Sequence, residues 1–356
     1  MYLKKLRISN FRCHKAKNVE FSKGVNIILG KNAVGKTSLV EAISYLSVGK
    51  SHKTNKDEEV ITLKTEYSLI FGTVFDGKTE KEIFVGITKE GKRIKRDDKP
   101  LKSISEHIGF FNEVVFSPED IPLLTGSPAE RRRFLDLSIS QIDKNYMNSL
   151  ANYKKLLKQR NEILKNPEVE KYVENSLVKI ITSELIKYAK DIVRKRKEFI
   201  DELSPFVKEA GNKISEGNEL FTLQYNPNTP EDELEKKFQD RLSFDIFQKT
   251  TTSGPHRDDF FIEENDKSVA IYGSQGQIRT AALSLKLGLS NYYKSKNVET
   301  VIVLDDVFSE LDKSRQNNLI GLLENNTQVF ITTTSIEELD EKVKKDSNII
   351  YLRECE

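Results

Sequence analysis

The sequence predicts an α/β fold in which short strands surround a phosphate-binding loop and its helix, with a helical lobe inserted into the chain. The segment VNIILGKNAVGKTS at 25–38 places an apolar strand, a glycine-containing loop and the start of a helix in that order. The segment VIVLDDV at 301–307 is a second apolar strand, and it ends in two aspartates. Between these segments, apolar residues recur at helical spacing over 127–206.

The first region, residues 1–125, is predicted to consist mainly of strands around the loop and its helix. Apolar stretches at 4–11 and 16–21 precede the loop strand, and two more follow it at 67–75 and 81–89. The four stretches are long enough for strands and too short for helices of ordinary length.

The second region, residues 126–217, is predicted to form a helical lobe or a short antiparallel arm. Ser127 suits the N-cap, Pro128 the first helical position, and Glu130 the third position after the cap, which together make a capping-box pattern. Asn166-Pro167 interrupts the helical spacing and predicts a turn between two long helices.

The third region, residues 218–356, is predicted to return to α/β structure. It begins with a strand at 220–225, after which come a short helix and a hairpin. A helix from about Ser274 to Lys294 leads into the strand with the two aspartates, and a last apolar strand covers 328–334.

The loop and the acidic strand together predict a site for nucleotide phosphates. Backbone N–H groups of the loop turn towards phosphate oxygens, Lys36 reaches the outer phosphates, and Thr37 can hold Mg²⁺. Asp305 is placed to hold the same Mg²⁺, and Asp306 to polarise an attacking water. The predicted nucleotide-binding residues are Gly30, Lys31, Asn32, Ala33, Val34, Gly35, Lys36, Thr37 and Ser38.

A third element, YGSQGQIRT at 272–280, precedes the acidic strand. Ser274 is a plausible N-cap, Gly276 leaves room for a phosphate, and the helix that follows turns its positive end towards whatever docks there. The same pattern also suits an ordinary capped helix that packs on the core.

Composition limits the classes of function. The chain has 57 basic and 55 acidic residues and a net charge of +2, so any surface for nucleic acid must come from local clustering. Cys13 and Cys355 lie near opposite ends without metal-ligand spacing. No apolar run approaches the length of a membrane span, and we expect a cytoplasmic protein.

These motifs resemble the ATP-binding-cassette superfamily and, within its SMC-like DNA-repair branch, the RecF family of recombination mediators. LRISNFRCHKAKNVEF, FSPEDIPLLTGSPAERRRFLD, SGPHRDD, GSQGQ and LDDVFSELD match that family in order and extend over nearly the whole chain. The resemblance implies a cassette-type ATPase head with a mixed sheet around the Walker A helix. It further implies ATP and Mg²⁺ as ligands.

The resemblance also implies that two copies share each nucleotide. In cassette ATPases the signature of one subunit faces the Walker A loop of another, so ATP would drive homodimerisation and hydrolysis would reverse it. The implied signature residues are Ser274, Gln275, Gly276 and Gln277; the loop after the acidic strand would contribute Ser309 and Asp312; Thr333 stands in the place of the switch residue.

By the same resemblance, the dimer would grip duplex DNA and single-strand/duplex junctions at gaps, and help RecO and RecR to load RecA. Three basic clusters are candidates for contacts with the DNA backbone, although runs of charge are often simply solvated. Residues 131–133 could instead tie the helical lobe to acidic neighbours. The clusters are Lys92, Arg93, Lys95 and Arg96; Arg131, Arg132 and Arg133; and Arg194, Lys195, Arg196 and Lys197.

The resemblance implies a DNA-stimulated ATPase, and a departure from the superfamily pattern at Asp306 predicts that it is a weak one. Asp306 stands where glutamate is usual, and its shorter side chain aligns water less well. No glutamine occurs between Thr37 and Gln141, so Glu119 or Asp120 is the candidate replacement for the usual loop glutamine. Two alternatives stay open: the nucleotide-binding subunit of a membrane transporter, and another SMC-like ATPase.

Overall fold

The computed structural model describes residues 1–54, 56–166, 177–308, 311, 313–322, 327–337 and 341–353. The chain divides into two compact units. The first comprises Met1–Asp120, Ala210–Asn218 and Leu283–Glu356, and the second comprises Ile121–Glu209 and Glu219–Ala282. Residues 219–282, which the sequence groups with the C-terminal region, therefore belong to the same unit as the helical lobe.

The first unit contains an antiparallel six-stranded sheet. Its strands alternate between buried apolar residues and partly exposed ones, as expected for a sheet that covers a core with one face. In sheet order the strands are β2 (His14–Glu20), β1 (Tyr2–Phe11), β4 (Tyr67–Phe75), β5 (Glu80–Thr88), β6 (Gly91–Arg96) and β7 (Lys99–Pro100).

The first unit also contains a five-stranded parallel sheet. Its central strands are buried on both faces, which explains why their sequences are continuous apolar runs. All its strands point the same way, so their carboxyl ends meet at one edge. In sheet order the strands are β14 (Asn348–Tyr351), β3 (Val25–Leu29), β13 (Val329–Thr333), β12 (Thr300–Asp305) and β8 (Asn112–Phe116).

Helix α1 (Lys36–Val48) packs against strands of both sheets. It is buried around nearly its whole circumference, which is typical of a helix that lies in a core rather than on its surface. The predicted α/β fold around the loop helix is confirmed, with the parallel and antiparallel pairing divided between two sheets. Two further helices of this unit are α10 (Lys313–Leu322) and α11 (Glu341–Lys345).

The second unit is mainly helical, with one small antiparallel sheet of β11 (Lys267–Ser268), β10 (Asp259–Glu264) and β9 (Thr222–Asn226). Helices α5 and α9 begin in this unit and end in the first. The helices are α2 (Ile121–Thr125), α3 (Pro128–Ile142), α4 (Lys144–Leu164), α5 (Leu177–Ile214), α6 (Leu234–Asp240), α7 (Leu242–Gln248), α8 (Val269–Tyr272) and α9 (Gln275–Ser295).

The predicted start of α3 is confirmed, but its capping box is not formed. Pro128 is the first helical residue and Ser127 the extended N-cap, as expected. In the described part of the chain, the Ser127 side chain accepts no capping hydrogen bond; its backbone carbonyl accepts the N–H of Glu130 at 3.1 Å instead. Pro167, the predicted turn residue, lies outside the described residues.

Candidate nucleotide-binding site

The phosphate-binding loop joins β3 to α1 and depends on Gly35 for its shape. Gly35 has φ +90°, a left-handed conformation that disfavours other residues. A Cβ atom there would lie 2.5 Å from His14 Nε2, which forms a hydrogen bond with the Gly35 carbonyl oxygen at 3.1 Å. Since no described side chain caps the start of α1, the first N–H groups of this helix remain available to an anion.

Lys36, the first residue of α1, is folded back onto the loop. Its Nζ donates hydrogen bonds to the carbonyl oxygens of Gly30 at 2.7 Å and Lys31 at 2.9 Å. Burial lowers the pKa of Lys36, and the carboxylates of Asp306 and Asp305 oppose that shift. The ammonium group is thus held among the loop carbonyls, close to two acidic residues.

Asp305 meets Thr37 at the carboxyl edge of the parallel sheet. Asp305 ends β12, is 1% exposed, and accepts a hydrogen bond from Thr37 Oγ1 at 2.9 Å. The same carboxylate oxygen, Oδ1, accepts a hydrogen bond from Thr332 Oγ1 at 2.8 Å. A carboxylate and a hydroxyl oxygen are donors of the kind that Mg²⁺ takes from proteins, which generally supply only one or two carboxylates and leave the remaining positions to phosphates and water.

Asp306 follows β12 in a left-handed conformation, with φ +55°. Aspartate tolerates this conformation better than most residues. The backbone N–H of Asp306 donates to Thr332 Oγ1 at 2.9 Å. Thr332 therefore links the two aspartates, because its hydroxyl donates to one and accepts from the other.

The structure places Thr332, rather than the predicted Thr333, beside the acidic residues. Thr332 lines the cavity next to the loop, whereas Thr333 is not among the described residues that line it. The Thr333 hydroxyl donates to the Ser335 carbonyl oxygen at 3.1 Å and accepts from the Ser335 N–H at 3.3 Å. Adjacent side chains in a strand point to opposite faces. That Thr333 is the switch residue stays a prediction, and Thr332 is the hydroxyl that faces the acidic residues in this structure.

The cavity beside the loop has a volume of about 560 Å³. Part of its wall comes from residues that the motifs did not single out. Arg12 is held by two hydrogen bonds to the buried Glu41, at 2.8 and 2.6 Å, and by a third to the Glu59 carbonyl oxygen at 2.8 Å. The lining residues are Arg12, Cys13, Asn32, Ala33, Gly35, Lys36, Thr37, Ser38, Glu59, Ile61, Leu63, Asp306 and Thr332.

The signature stretch forms the start of α9, as predicted. Ser274 Oγ accepts the N–H of Gln277 at 3.2 Å, and Gln277 Oε1 accepts the N–H of Ser274 at 2.8 Å. This reciprocal pair is a capping box. Gln277 is held further by a 2.8 Å hydrogen bond to Glu264 Oε2, while Ser274 and Gln275 are exposed. The helix start is therefore capped by side chains and accessible.

The remaining predicted site residues either lie outside the residues that the structure describes or contact groups away from the loop. Ser309 and Asp312 are outside the described residues, and so is the side chain of Glu119. Asp120 forms an ion pair with Lys286 at 2.8 Å and accepts the N–H of Ser117 at 2.8 Å. Its carboxylate is thus engaged within the first unit.

Two of the predicted DNA-contacting arginines are buried in ion pairs, which argues against a DNA contact and, for Arg131, agrees with the alternative of a tie to acidic neighbours. Arg131 is 8% exposed and binds both carboxylate oxygens of Asp259, at 2.6 and 2.9 Å. Arg196 is 1% exposed and bridges Asp136 at 2.7 Å and Asp258 at 2.9 Å. Burial alone would lower the pKa of Arg196, but its surroundings, including Tyr146 and both aspartates, raise it well above its ordinary value. These arginines hold the second unit together.

The other basic residues differ in how far they are engaged. Three of them form ion pairs: Lys92 with Asp57 at 2.8 Å, Lys195 with Asp143 at 2.8 Å, and Arg194 with Asp191 at 2.6 Å. Arg132 donates to the Asp258 carbonyl oxygen at 2.9 Å, and Arg96 to that of Glu106 at 3.2 Å. Arg93 and Lys197 are exposed, and Lys95 and Arg133 are half-buried.

Comparison with known proteins gives the chain a consistent set of relatives. The family model of the RecF/RecN/SMC N-terminal domain matches residues 2–353. The DNA replication and repair protein RecF of Ligilactobacillus salivarius (strain UCC118) is 38% identical over 96% of this chain and 93% of that protein. RecF of Staphylococcus carnosus (strain TM300) is 35% identical over 100% and 99% of the two chains.

Solved structures agree with these relatives. A structure of the recombination mediator protein RecF with ATP, from the RecFOR pathway, has a TM-score of 0.87 and 36% identity over 95% of this chain and 93% of that one. An Smc head bound to the C-terminal winged-helix domain of ScpA has a TM-score of 0.55 at 16% identity, which is a likeness of fold alone. No described helix is long and apolar enough to cross a membrane.

Proposed function

The chain belongs to the RecF/RecN/SMC N-terminal domain family, and on that premise we propose that it is an ATP-dependent DNA-binding protein of recombinational repair. One observation carries the proposal. Lys36 and Thr37 from one part of the chain and Asp306 from another line one cavity, and Asp305 contacts Thr37 at the carboxyl edge of the parallel sheet, where open α/β sheets bind their ligands.

The proposed chemistry follows from these groups. The loop N–H groups and Lys36 bind the outer phosphates of ATP, while Thr37 and Asp305 hold Mg²⁺, which neutralises charge that builds up on those phosphates. Asp306 orients a water and takes its proton. Because aspartate is shorter than glutamate and Asp306 is tied through its N–H to Thr332, we expect slow hydrolysis.

The proposed cycle uses two copies of the chain. The exposed, capped start of α9 offers N–H groups and the Ser274 hydroxyl to the γ-phosphate held by a second copy. ATP thus favours the dimer, and hydrolysis removes the group that holds the two copies together. The dimer binds duplex DNA and single-strand/duplex junctions, and acts in the cytoplasm with RecO and RecR to load RecA.

Sedimentation of the purified chain tests this proposal. The protein is measured with ADP, with ATP, and with ATP plus duplex DNA, and its ATP hydrolysis is measured with and without DNA. We expect a dimer only with ATP, DNA that sediments with the dimer, and faster hydrolysis with DNA. The variant Lys36→Ala should bind no nucleotide and stay monomeric. A chain that binds ATP but remains solitary in every condition would contradict the proposal.

The transporter alternative predicts no response to DNA in the same experiment. The two full-length relatives named above are RecF proteins, which argues against it.

A further inference from the structure

The face of the six-stranded sheet that points away from α1 carries a row of cations and aromatic rings. Strand register aligns Arg7 of β1, Phe71 of β4, Phe84 of β5 and Lys95 of β6 side by side. The neighbouring positions along these strands, such as Ile70, point to the buried side of the sheet. The row therefore crosses four strands on one open face, about 14 Å from end to end at the usual strand spacing.

The side chains of this row contact one another in order. The Arg7 guanidinium carbon lies 5.2 Å from the centre of the Phe71 ring, and Lys95 Nζ lies 5.6 Å from the centre of the Phe84 ring. The two rings are 4.8 Å apart and inclined at 46°. Each cation is thus held against a ring, and the row is ordered before any ligand arrives.

The next row on the same face adds a third cation. It contains Ser9, Leu69, Gly86 and Arg93, aligned by the same register. The Phe84 ring leans over Gly86, because a Cβ atom at Gly86 would lie 3.0 Å from Phe84 Cζ. Glycine at this position therefore lets an aromatic ring lie along the strand with Arg93 and Lys95 beside it.

The two rows form a surface of positive charge. Arg7, Arg93 and Lys95 form no ion pair with any described residue, whereas Lys5, one row further along, is paired with Glu20 at 3.0 Å. Among the described residues of β1, β2, β4, β5 and β6, the two rows contain no carboxylate. The face thus suits an anionic ligand that can also use the half-buried rings of Phe71 and Phe84.

We propose that this face, defined by Arg7, Phe71, Phe84, Arg93 and Lys95, binds single-stranded DNA. A single strand offers phosphates to the three cations and unstacked bases to the rings. A duplex keeps its bases stacked inside and would engage the cations alone. The inference rests on the proposed DNA-binding function and extends it, since it assigns the single-stranded arm of a junction to a surface separate from the nucleotide cavity.

Fluorescence anisotropy with a labelled oligothymidylate, and with a duplex of equal length, tests the assignment. The double variant Arg93→Glu/Lys95→Glu should bind the single strand at least about tenfold more weakly, and its salt slope should fall by about 1.4, the value for two lost phosphate contacts. The matched control Lys78→Glu reverses an exposed charge in the turn between β4 and β5 and should bind like the parent chain. Unchanged melting temperatures show that each variant is folded.

A change to the rings separates a nucleic acid from an acidic protein segment. Phe84→Leu keeps apolar bulk but removes the aromatic ring, and should weaken single-strand binding about threefold or more. The chain contains no tryptophan, so Phe84→Trp introduces a unique fluorophore that an oligothymidylate should quench. If a glutamate-rich peptide binds as tightly as the single strand and Phe84→Leu has no effect, the occupant is an acidic protein and the inference is overturned.

The measurements also distinguish this inference from the proposed function. Single-strand binding that survives in Arg93→Glu/Lys95→Glu overturns the inference, whatever the duplex does. Loss of single-strand binding in that variant supports the inference even if the parent chain shows no ATP-dependent dimer, in which case only the proposed function fails.

Discussion

Thr37 Oγ1 donates a hydrogen bond of 2.9 Å to Asp305 Oδ1, across 268 positions of sequence. Thr37 is the second residue of α1, after the loop that follows β3, and Asp305 ends β12. These two strands are not neighbours, because β13 lies between them. Their meeting depends on all three strands running parallel, so that the loop after β3 and the end of β12 reach the same edge. The sheet therefore assembles the Mg²⁺ site that we propose.

Replacing Thr37 tests the Mg²⁺ assignment. Thr37→Val keeps the shape of the side chain but removes the oxygen. Mg²⁺ should strengthen ATP binding in the parent chain, and we expect this gain in affinity to be smaller by a factor of at least about ten in Thr37→Val, as when a metal site loses a supporting group. Thr37→Ser retains the hydroxyl and serves as the control. Titration of ATP with and without Mg²⁺ measures the effect, and equal Mg²⁺ dependence in Thr37→Val would refute the assignment.

Asp306→Asn tests the proton acceptor. Asparagine tolerates the left-handed conformation of this residue, so the fold should be unchanged. We expect ATP binding to persist while hydrolysis slows by about 10²–10⁴, the usual contribution of a general base. Single-turnover hydrolysis and the lifetime of the ATP-bound dimer report the effect. A parental rate in this variant would remove Asp306 from the mechanism.

Ser274 has two separable roles, as helix cap and as proposed phosphate contact. Ser274→Asp retains a good N-cap but places a negative charge where the γ-phosphate of the second copy should dock. We therefore expect a folded monomer that binds ATP without dimerising. Ser274→Asn caps equally well without the charge and is the matched control; Ser274→Arg blocks the same surface by bulk. An ATP-dependent dimer of Ser274→Asp would contradict the shared-nucleotide arrangement.

Arg196 should be essential to the stability of the second unit. Arg196→Met leaves the carboxylates of Asp136 and Asp258 without their shared cation, which typically costs about 3–5 kcal/mol for a buried pair. The neighbouring Lys197 is exposed, and Lys197→Met should change stability by no more than about 0.5 kcal/mol. Thermal and urea unfolding compare the two variants. Equal stability would show that the buried network is dispensable.

We expect Glu113 in β8 to make the free energy of unfolding depend on pH. Burial raises the pKa of its carboxyl from an ordinary 4.5 to about 8. Between these values the folded chain retains a proton that the unfolded chain has released. The contribution of Glu113 to the free energy of unfolding is therefore complete below pH 4.5 and is lost as the pH rises to about 8.

Glu113→Gln removes this titration. The melting temperature of the parent chain should fall relative to that of Glu113→Gln between about pH 5 and about pH 8. A difference that stays constant across this interval would show that Glu113 does not titrate as proposed.

The residues of the proposed nucleotide site could be predicted from the sequence because their signals are local. The loop around Lys36 and the acidic strand that ends at Asp305 can each be recognised from a few consecutive residues. The capping box of Ser274 and Gln277 extends over four residues. The sequence does not tell which of Thr332 and Thr333 faces the acidic residues. A strand that is buried on both faces has no polar alternation from which to tell which side chain faces the site.

The buried arginines show a second limit. Arg131 and Arg196 occur in basic runs that resemble solvated surface, and their partners Asp259 and Asp258 lie 128 and 62 positions away. Acidic partners are a stated alternative for residues 131–133, but nothing local identifies Asp259 or Asp258 as the partners. The SGPHRDD motif supplies both aspartates, so its role in this chain is partly architectural.

Few side chains can take the place of Thr332. The side chain at 332 must donate a hydrogen bond to the Asp305 carboxylate and accept one from the N–H of Asp306. A hydroxyl can do both, whereas an aliphatic group of equal size can do neither. The side chain must also suit the interior of a strand, which favours branching at Cβ. Threonine meets both requirements. Serine meets only the requirement for a hydroxyl, so we expect threonine to be preferred and serine to be the one tolerated replacement.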